Sequence, residues 1–133
     1  MKIRSLIPLL FLALFTGCAA LQPGADPLVV RAEQTVAATL TTFDTFLKLD
    51  DTNRELFRAK VPAVHHFAEW LREPIGQPPV ARGLSFLESA NNVKVAYKRN
   101  RTDTNRATLT TALITLETAL IQTQAQLAAA QGV

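Results

Sequence analysis

Ten nearly unbroken apolar residues, Leu6 to Phe15, follow the positively charged start Met1-Lys2-Ile3-Arg4, and only Pro8 interrupts them. A bilayer span takes roughly 20 apolar residues, so this run is too short to cross comfortably. A positive start and an apolar stretch of about 7–15 residues is the layout of a secretory signal, which is removed from the mature protein. Whatever folds must therefore be built from the residues beyond it.

The run ends in Phe15-Thr16-Gly17-Cys18. An apolar residue, two small residues and a cysteine resemble the lipobox of bacterial lipoproteins, with Phe15 standing where Leu is usual. The resemblance covers residues 1–18. It implies cleavage before Cys18, acylation of that cysteine and a membrane anchor at the new N-terminus. Ala19 follows Cys18, and in lipoproteins of the enteric type the absence of Asp there implies transfer to the outer membrane, facing the periplasm. Cleavage further on, after Ala20, is the alternative. Cys18 is the sole cysteine, so no disulfide can form within the chain. A lone free thiol in an oxidising compartment is a liability that acylation removes.

The isoelectric point of about 9.4 overstates the basic character of the mature chain. Lys2 and Arg4 leave with the signal, and twelve basic side chains then face eleven acidic ones. The charges are segregated: residues 26–73 carry six basic and eight acidic groups. Lys94, Lys98, Arg99, Arg101 and Arg106 cluster further on.

Ala19 to Ala25 reads as a tether with breakers at Pro23 and Gly24. The division expected is a signal at 1–17, a lipidated tether at 18–25 and one domain at 26–130. Asp26-Pro27 starts a helix, since Asp caps free N–H groups and Pro suits the first helical position. Val29, Ala32, Val36, Leu40, Phe43 and Leu47 then form one apolar stripe, with Thr35, Thr41, Thr42 and Thr45 off it. Thr52 and Glu55 have capping-box spacing. Leu56, Phe57, Val64, Phe67 and Leu71 share a face, with Arg54, Arg58, His65, Glu69 and Arg72 opposite. The phase agrees across Pro62, which points to one helix kinked there; a break into two is the alternative, because an internal Pro costs about 3 kcal/mol.

Pro74 to Pro79 is a loop. The next helix starts near Val80 or at Ser85, which has capping-box spacing to Glu88. Its stripe is Phe86, Ala90, Val93 and Tyr97, with Leu87 alongside. Thr102 caps a last helix from about Asp103 to Ala129, with Leu109, Leu113, Leu116, Leu120 and Leu127 on its apolar face. Strand-like alternation does not occur. The fold class expected is all-α, a small antiparallel helical bundle of three to four helices behind a cleaved signal peptide. About 105 residues suffice for its core without disulfides or metal.

Candidate chemistry is sparse. His65 and His66 are neighbours, about 100° apart on a helix, and cannot face one metal together. His65 and Glu69 are spaced i,i+4, but two ligands are too few. The bland reading makes His65–Glu69 a solvated pair, with His66 beside Trp70. A ligand- or metal-binding bundle or small enzyme using His65, His66, Glu69 and Trp70 is the alternative function. Haem lacks an attachment motif, and Met1, the sole methionine, leaves with the signal, so no cofactor is expected. Hydrolytic and phosphate-loop motifs do not occur, and no catalysis is expected. Carboxylates such as Asp44, Asp50 and Asp51 are explained by capping and solvation.

Two surfaces carry the functional expectation. Lys94, Lys98, Arg99, Arg101 and Arg106 could contact anionic lipid head groups or an acidic partner. Helix-dipole stabilisation of Lys98 and Arg99 is the structural explanation. Nucleic acid is not expected as a partner of an exported chain. From Ala107 onward Glu117 is the sole charged side chain. Thr108, Thr111, Thr115, Thr118 and Gln122 give a neutral polar face, with Ile114 and Ile121 nearby. Either the isoleucines fill the core, or residues 107–129 contact a protein partner or a second copy. The function expected is a lipid-anchored interaction or structural module of the cell envelope.

Overall fold

The computed structural model of the chain describes residues 24–133. The expected signal at 1–17, the lipidation site Cys18 and the tether up to Pro23 lie outside the described residues. The described residues are mostly helical, with five helices and one two-stranded hairpin: α1 (Pro27–Thr52), α2 (Arg54–Lys60), α3 (Pro62–Arg72), β1 (Pro74–Ile75), β2 (Val80–Ala81), α4 (Arg82–Arg99) and α5 (Asp103–Ala130).

Helix starts follow local chemistry. The Asp26 carboxylate accepts from the Leu28 N–H at 2.9 Å, and Pro27 sits in the first turn, where its missing N–H costs nothing. The Thr102 hydroxyl accepts from the Asn105 N–H at 3.1 Å and caps α5. Thr52 does not cap α2. Helix α1 continues to Thr52, whose hydroxyl is used by that helix's last turn, donating to the Lys48 carbonyl at 2.9 Å. The capping box at Ser85 is likewise not formed, because α4 begins at Arg82 and places Ser85 in its first turn.

The single helix kinked at Pro62 is corrected to two. Val61 leaves helical geometry, with φ −139° and ψ 64°, because the proline ring crowds the residue before it out of the α region. Pro62 then opens α3 rather than interrupting a longer helix. A one-residue break preserves the apolar phase on both sides, so periodicity could not detect it. The loop at 74–79 is closed by antiparallel pairing of Pro74 with Ala81 and Ile75 with Val80, strands too short to leave an alternating pattern.

Helices α1, α4 and α5 pack on one another, and α3 fits against all three. Val29 and Ala32, early in α1, cluster with Leu109 and Leu113, early in α5, and with Tyr97 in the last turns of α4. Thus α1 and α5 run the same way and α4 runs opposite. A second cluster unites Phe43, Phe46, Phe57, Val64, Ala68, Leu71 and Leu87 with Leu116, Ala119 and Leu127. Gly83 lets α4 approach here: a Cβ at that position would lie 3.2 Å from the Phe43 ring and 3.5 Å from Leu71.

The buried face of α1 is rotated from the expected stripe. Val29, Ala32 and Phe43 are buried, Val36 and Leu47 are half-buried, and Leu40 is 55% exposed. Thr35, Thr39, Thr42, Phe46 and Asp50 take the inner positions instead. Threonine is tolerated there because its hydroxyl bonds its own helix: Thr39 donates to the Thr35 carbonyl at 2.7 Å and Thr42 to the Ala38 carbonyl at 2.8 Å.

Candidate interaction surface

The leucine stripe of α5 faces inward, with Leu109, Leu113, Leu116, Leu120 and Leu127 all buried. That orientation turns Thr108, Thr111, Ile114, Thr115, Thr118, Ile121 and Gln122 outward, and all seven are exposed. Ile114 and Ile121 are 55% and 65% exposed, so the core-filling reading of these two residues is corrected. They lie two turns apart on one face, while the leucines already occupy the inner side. Thr108, Thr115 and Thr118 each donate to the carbonyl four residues earlier, at 2.9, 3.2 and 2.8 Å. Their outward surface is thereby more methyl than hydroxyl.

The sole charge of this helix beyond Arg106 is also accounted for. Glu117 receives two hydrogen bonds from the Arg31 guanidinium of α1, at 2.8 and 2.7 Å. A bidentate pair of this kind fixes the side chain toward α1 and away from the neutral face.

On its other side α5 borders a groove. Thr108, Thr111 and Thr115 face Phe86, Ser89 and Val93 of α4. Ile114, Thr115, Thr118 and Gln122 adjoin Trp70 and Phe86, and Gln122, Ala125 and Gln126 adjoin Phe67 and Trp70. These depressions share Phe86, Thr115, Trp70 and Gln122 and so form one furrow. An aromatic row runs beside it: Phe46 to Phe67 at 5.7 Å, Phe67 to Trp70 at 5.3 Å and Trp70 to Phe86 at 5.8 Å between centroids. The Arg82 guanidinium sits 4.9 Å over the Trp70 ring and also bonds Glu73. Only the α5 wall is visible as a surface in the sequence. Periodicity puts Phe67 and Phe86 on core stripes, yet both are half-buried. The signal for the second wall was the clustering of aromatics on either side of the 74–79 loop.

His65 is the largest departure from expectation. Helical spacing puts it on a solvated face, but its side chain is buried, and so is that of Asp50. His65 Nδ1 lies 2.9 Å from Asp50 Oδ1, and Arg72 donates to Asp50 Oδ2 at 2.7 Å. His65 Nε2 meets Arg58 Nε at 3.1 Å and Glu69 Oε1 at 3.1 Å. Asp50 and Glu69 thus engage opposite nitrogens of one ring and do not converge on a common point. His66 is not packed beside Trp70 as expected, since its side chain is 73% exposed. Among the described residues, no group of three or more His, Cys, Asp or Glu side chains is arranged to hold a metal ion.

The basic cluster gathers where α4 ends and α5 begins, beside the start of α1. Lys94 and Lys98 approach Glu33 at 4.0 and 3.6 Å, and Arg101 approaches Asp26 at 3.5 Å. Arg99 and Arg106 are exposed and have no ion-pair partner among the described residues. The Tyr97 hydroxyl donates to Asp26 at 2.9 Å. That bond holds the Asp26 carboxyl below the usual carboxylate range against the opposing effect of burial, aided by the Leu28 N–H and the Arg101 charge. The same contact pushes the Tyr97 hydroxyl above its ordinary value.

No helix among the described residues is long and apolar enough to cross a membrane. No protein-family model, curated protein or solved structure matches the chain.

Proposed function

We propose that the mature chain is an interaction module of the bacterial envelope, a small antiparallel helical bundle held by lipid on Cys18 at the outer membrane and facing the periplasm. Its partner surface is the neutral outer face of α5 with the furrow beside it. The observation that carries the binding part is the exposure of Ile114 and Ile121 on a helix face without unpaired charge. Threonine and glutamine desolvate at far lower cost than lysine or glutamate, so such a face is suited to being covered by protein. The lipidated N-terminus supplies the location, by resemblance to lipoproteins.

The test is the double variant Thr115→Lys with Gln122→Lys. Both positions are exposed, so helical content and melting temperature should stay nearly unchanged. Capture of the partner by crosslinking in intact envelopes should be lost, and analytical ultracentrifugation shows whether that partner is a second copy. Unchanged capture and unchanged self-association would refute the surface. A lower melting temperature would mean that the chain's own residues cover it.

A further inference from the structure

The two ends of this molecule differ in charge, and the tether joins the basic one. Asp26, the first residue after the tether, is fixed by Tyr97 at 2.9 Å and faces Arg101 at 3.5 Å. The chain therefore enters the fold beside the turn that carries Lys98, Arg99, Arg101 and Arg106. Around this end, the five basic residues of the cluster stand against Asp26, Glu33 and Asp103. Residues 44–82, which build the opposite end, hold six basic and six acidic side chains, and many of these pair with one another.

Local structure does not account for all of the positive charge. Lys98 and Arg99 occupy the last turn of α4, where the helix dipole favours cations. Arg106 lies near the N-terminus of α5, where the same dipole disfavours a cation. It is exposed and has no ion-pair partner among the described residues. Arg101 immediately precedes that helix's cap and is also exposed. The position of Arg106 is disfavoured on internal grounds and an external anion offsets that, while Arg101, paired with Asp26 at 3.5 Å, still leaves its side chain 58% exposed.

We infer that the tether-proximal end, through Arg99, Arg101 and Arg106, rests on the anionic phospholipid head groups of the membrane that holds the anchor. The inference depends on the lipid-anchor reading and adds an orientation to it. Seven residues lie between Cys18 and Asp26, and the eight steps from one Cα to the next span at most about 28 Å. None of residues 19–25 is charged, so the tether neither repels the surface nor neutralises it. Charge attraction fades over about 8 Å at physiological salt, which selects the end that the tether brings near. The 28 residues of α5 rise about 42 Å, so its far end lies well beyond that range. Docked in this way, α5 stands away from the membrane with its neutral face open to the periplasm.

The experiment uses the full lipidated protein in vesicles of phosphatidylcholine, with and without phosphatidylglycerol. Cys18 is acylated, so a cysteine introduced at Thr104 or at Gln131 takes a fluorophore selectively; both positions are exposed. A head-group quencher should reach the Thr104 probe in anionic vesicles, much less in neutral ones, and less again at 1 M salt. The Gln131 probe should stay unquenched throughout. Arg99→Gln and Arg106→Gln should each lower the docked-to-undocked ratio about fivefold. Equal quenching of both probes, or quenching indifferent to lipid charge and salt, would overturn the orientation. Mass analysis of the N-terminal peptide separates the two readings. Absence of lipid from Cys18 removes anchor and orientation together, whereas lipid present without charge dependence overturns the orientation alone.

Discussion

Asp50 and His65 join α1 to α3 through a 2.9 Å contact between two side chains that are buried from solvent. A carboxylate oxygen can only accept, so the imidazole carries its proton on Nδ1. Arg72 donates to the second oxygen of Asp50 and also reaches Asp51 and the Leu47 carbonyl, at 2.7, 2.8 and 3.1 Å. With Nδ1 committed to Asp50, Nε2 is left to accept from Arg58 Nε at 3.1 Å.

Removing the carboxylate strands partners on both sides. Asp50→Ala should lower stability by about 2–4 kcal/mol, somewhat less than for a fully enclosed pair because Arg72 is 29% exposed and keeps Asp51. Urea unfolding should show a lower midpoint with the same slope. A midpoint within error of the wild type would mean that the network contributes nothing to the fold.

Pro62 opens α3 at a position where its ring fixes a torsion the helix already needs. Pro62→Ala should therefore destabilise by up to about 1 kcal/mol, through the greater freedom of the unfolded chain. A raised thermal midpoint would instead support one continuous helix across Val61.

Thr39 acts as a core residue whose hydroxyl is satisfied by its own helix, at 2.7 Å from the Thr35 carbonyl. Thr39→Val keeps the shape and removes one hydroxyl donor, whose acceptor is a carbonyl within the helix, so stability should change by about 1 kcal/mol or less. Thr39→Ser deletes a buried methyl and should cost about 1 kcal/mol or more, because a void joins the lost transfer energy. Thermal melts of the two variants should rank valine above serine; the reverse order would place the hydroxyl, rather than the methyl, at the centre of the position's role.

The Tyr97–Asp26 contact gives the fold a pH dependence at both extremes. The folded Asp26 value lies below its ordinary one, so its contribution is present above about pH 4 and is lost as pH falls through the lower folded value. The folded Tyr97 value lies above its ordinary one, so its contribution is present below about pH 10 and is lost as pH rises through the higher folded value. Tyr97→Phe should weaken both dependences, read from melting temperature against pH. Wild-type and variant profiles that run parallel at both ends would rule the pair out as their source.

How legible this was in the sequence depends on the element. The leucines of α5 and the caps at Asp26 and Thr102 follow from spacing and residue type, and the structure has them. Periodicity sets α1 about one position out of phase, because threonine scores as polar while a hydroxyl bonded to its own helix buries like valine. Residue type puts His65 and Asp50 on the surface because each alone would be costly to bury, and only their pairing across fifteen residues makes burial tolerable. The break at Val61 left no periodic trace. The outer face of α5 was visible as a run without charge, but its aromatic neighbours Trp70 and Phe86 come together only through the turn at 74–79.

Localisation rests on Cys18, and one labelling experiment bears on it directly. Cells expressing the full chain are fed labelled palmitate, and the wild type is compared with Cys18→Ser. Label should enter the wild type alone, and the wild type should fractionate with the outer membrane while the variant does not carry lipid. Equal incorporation into both proteins, or none into either, would contradict the anchor and with it the placement of the chain in the envelope.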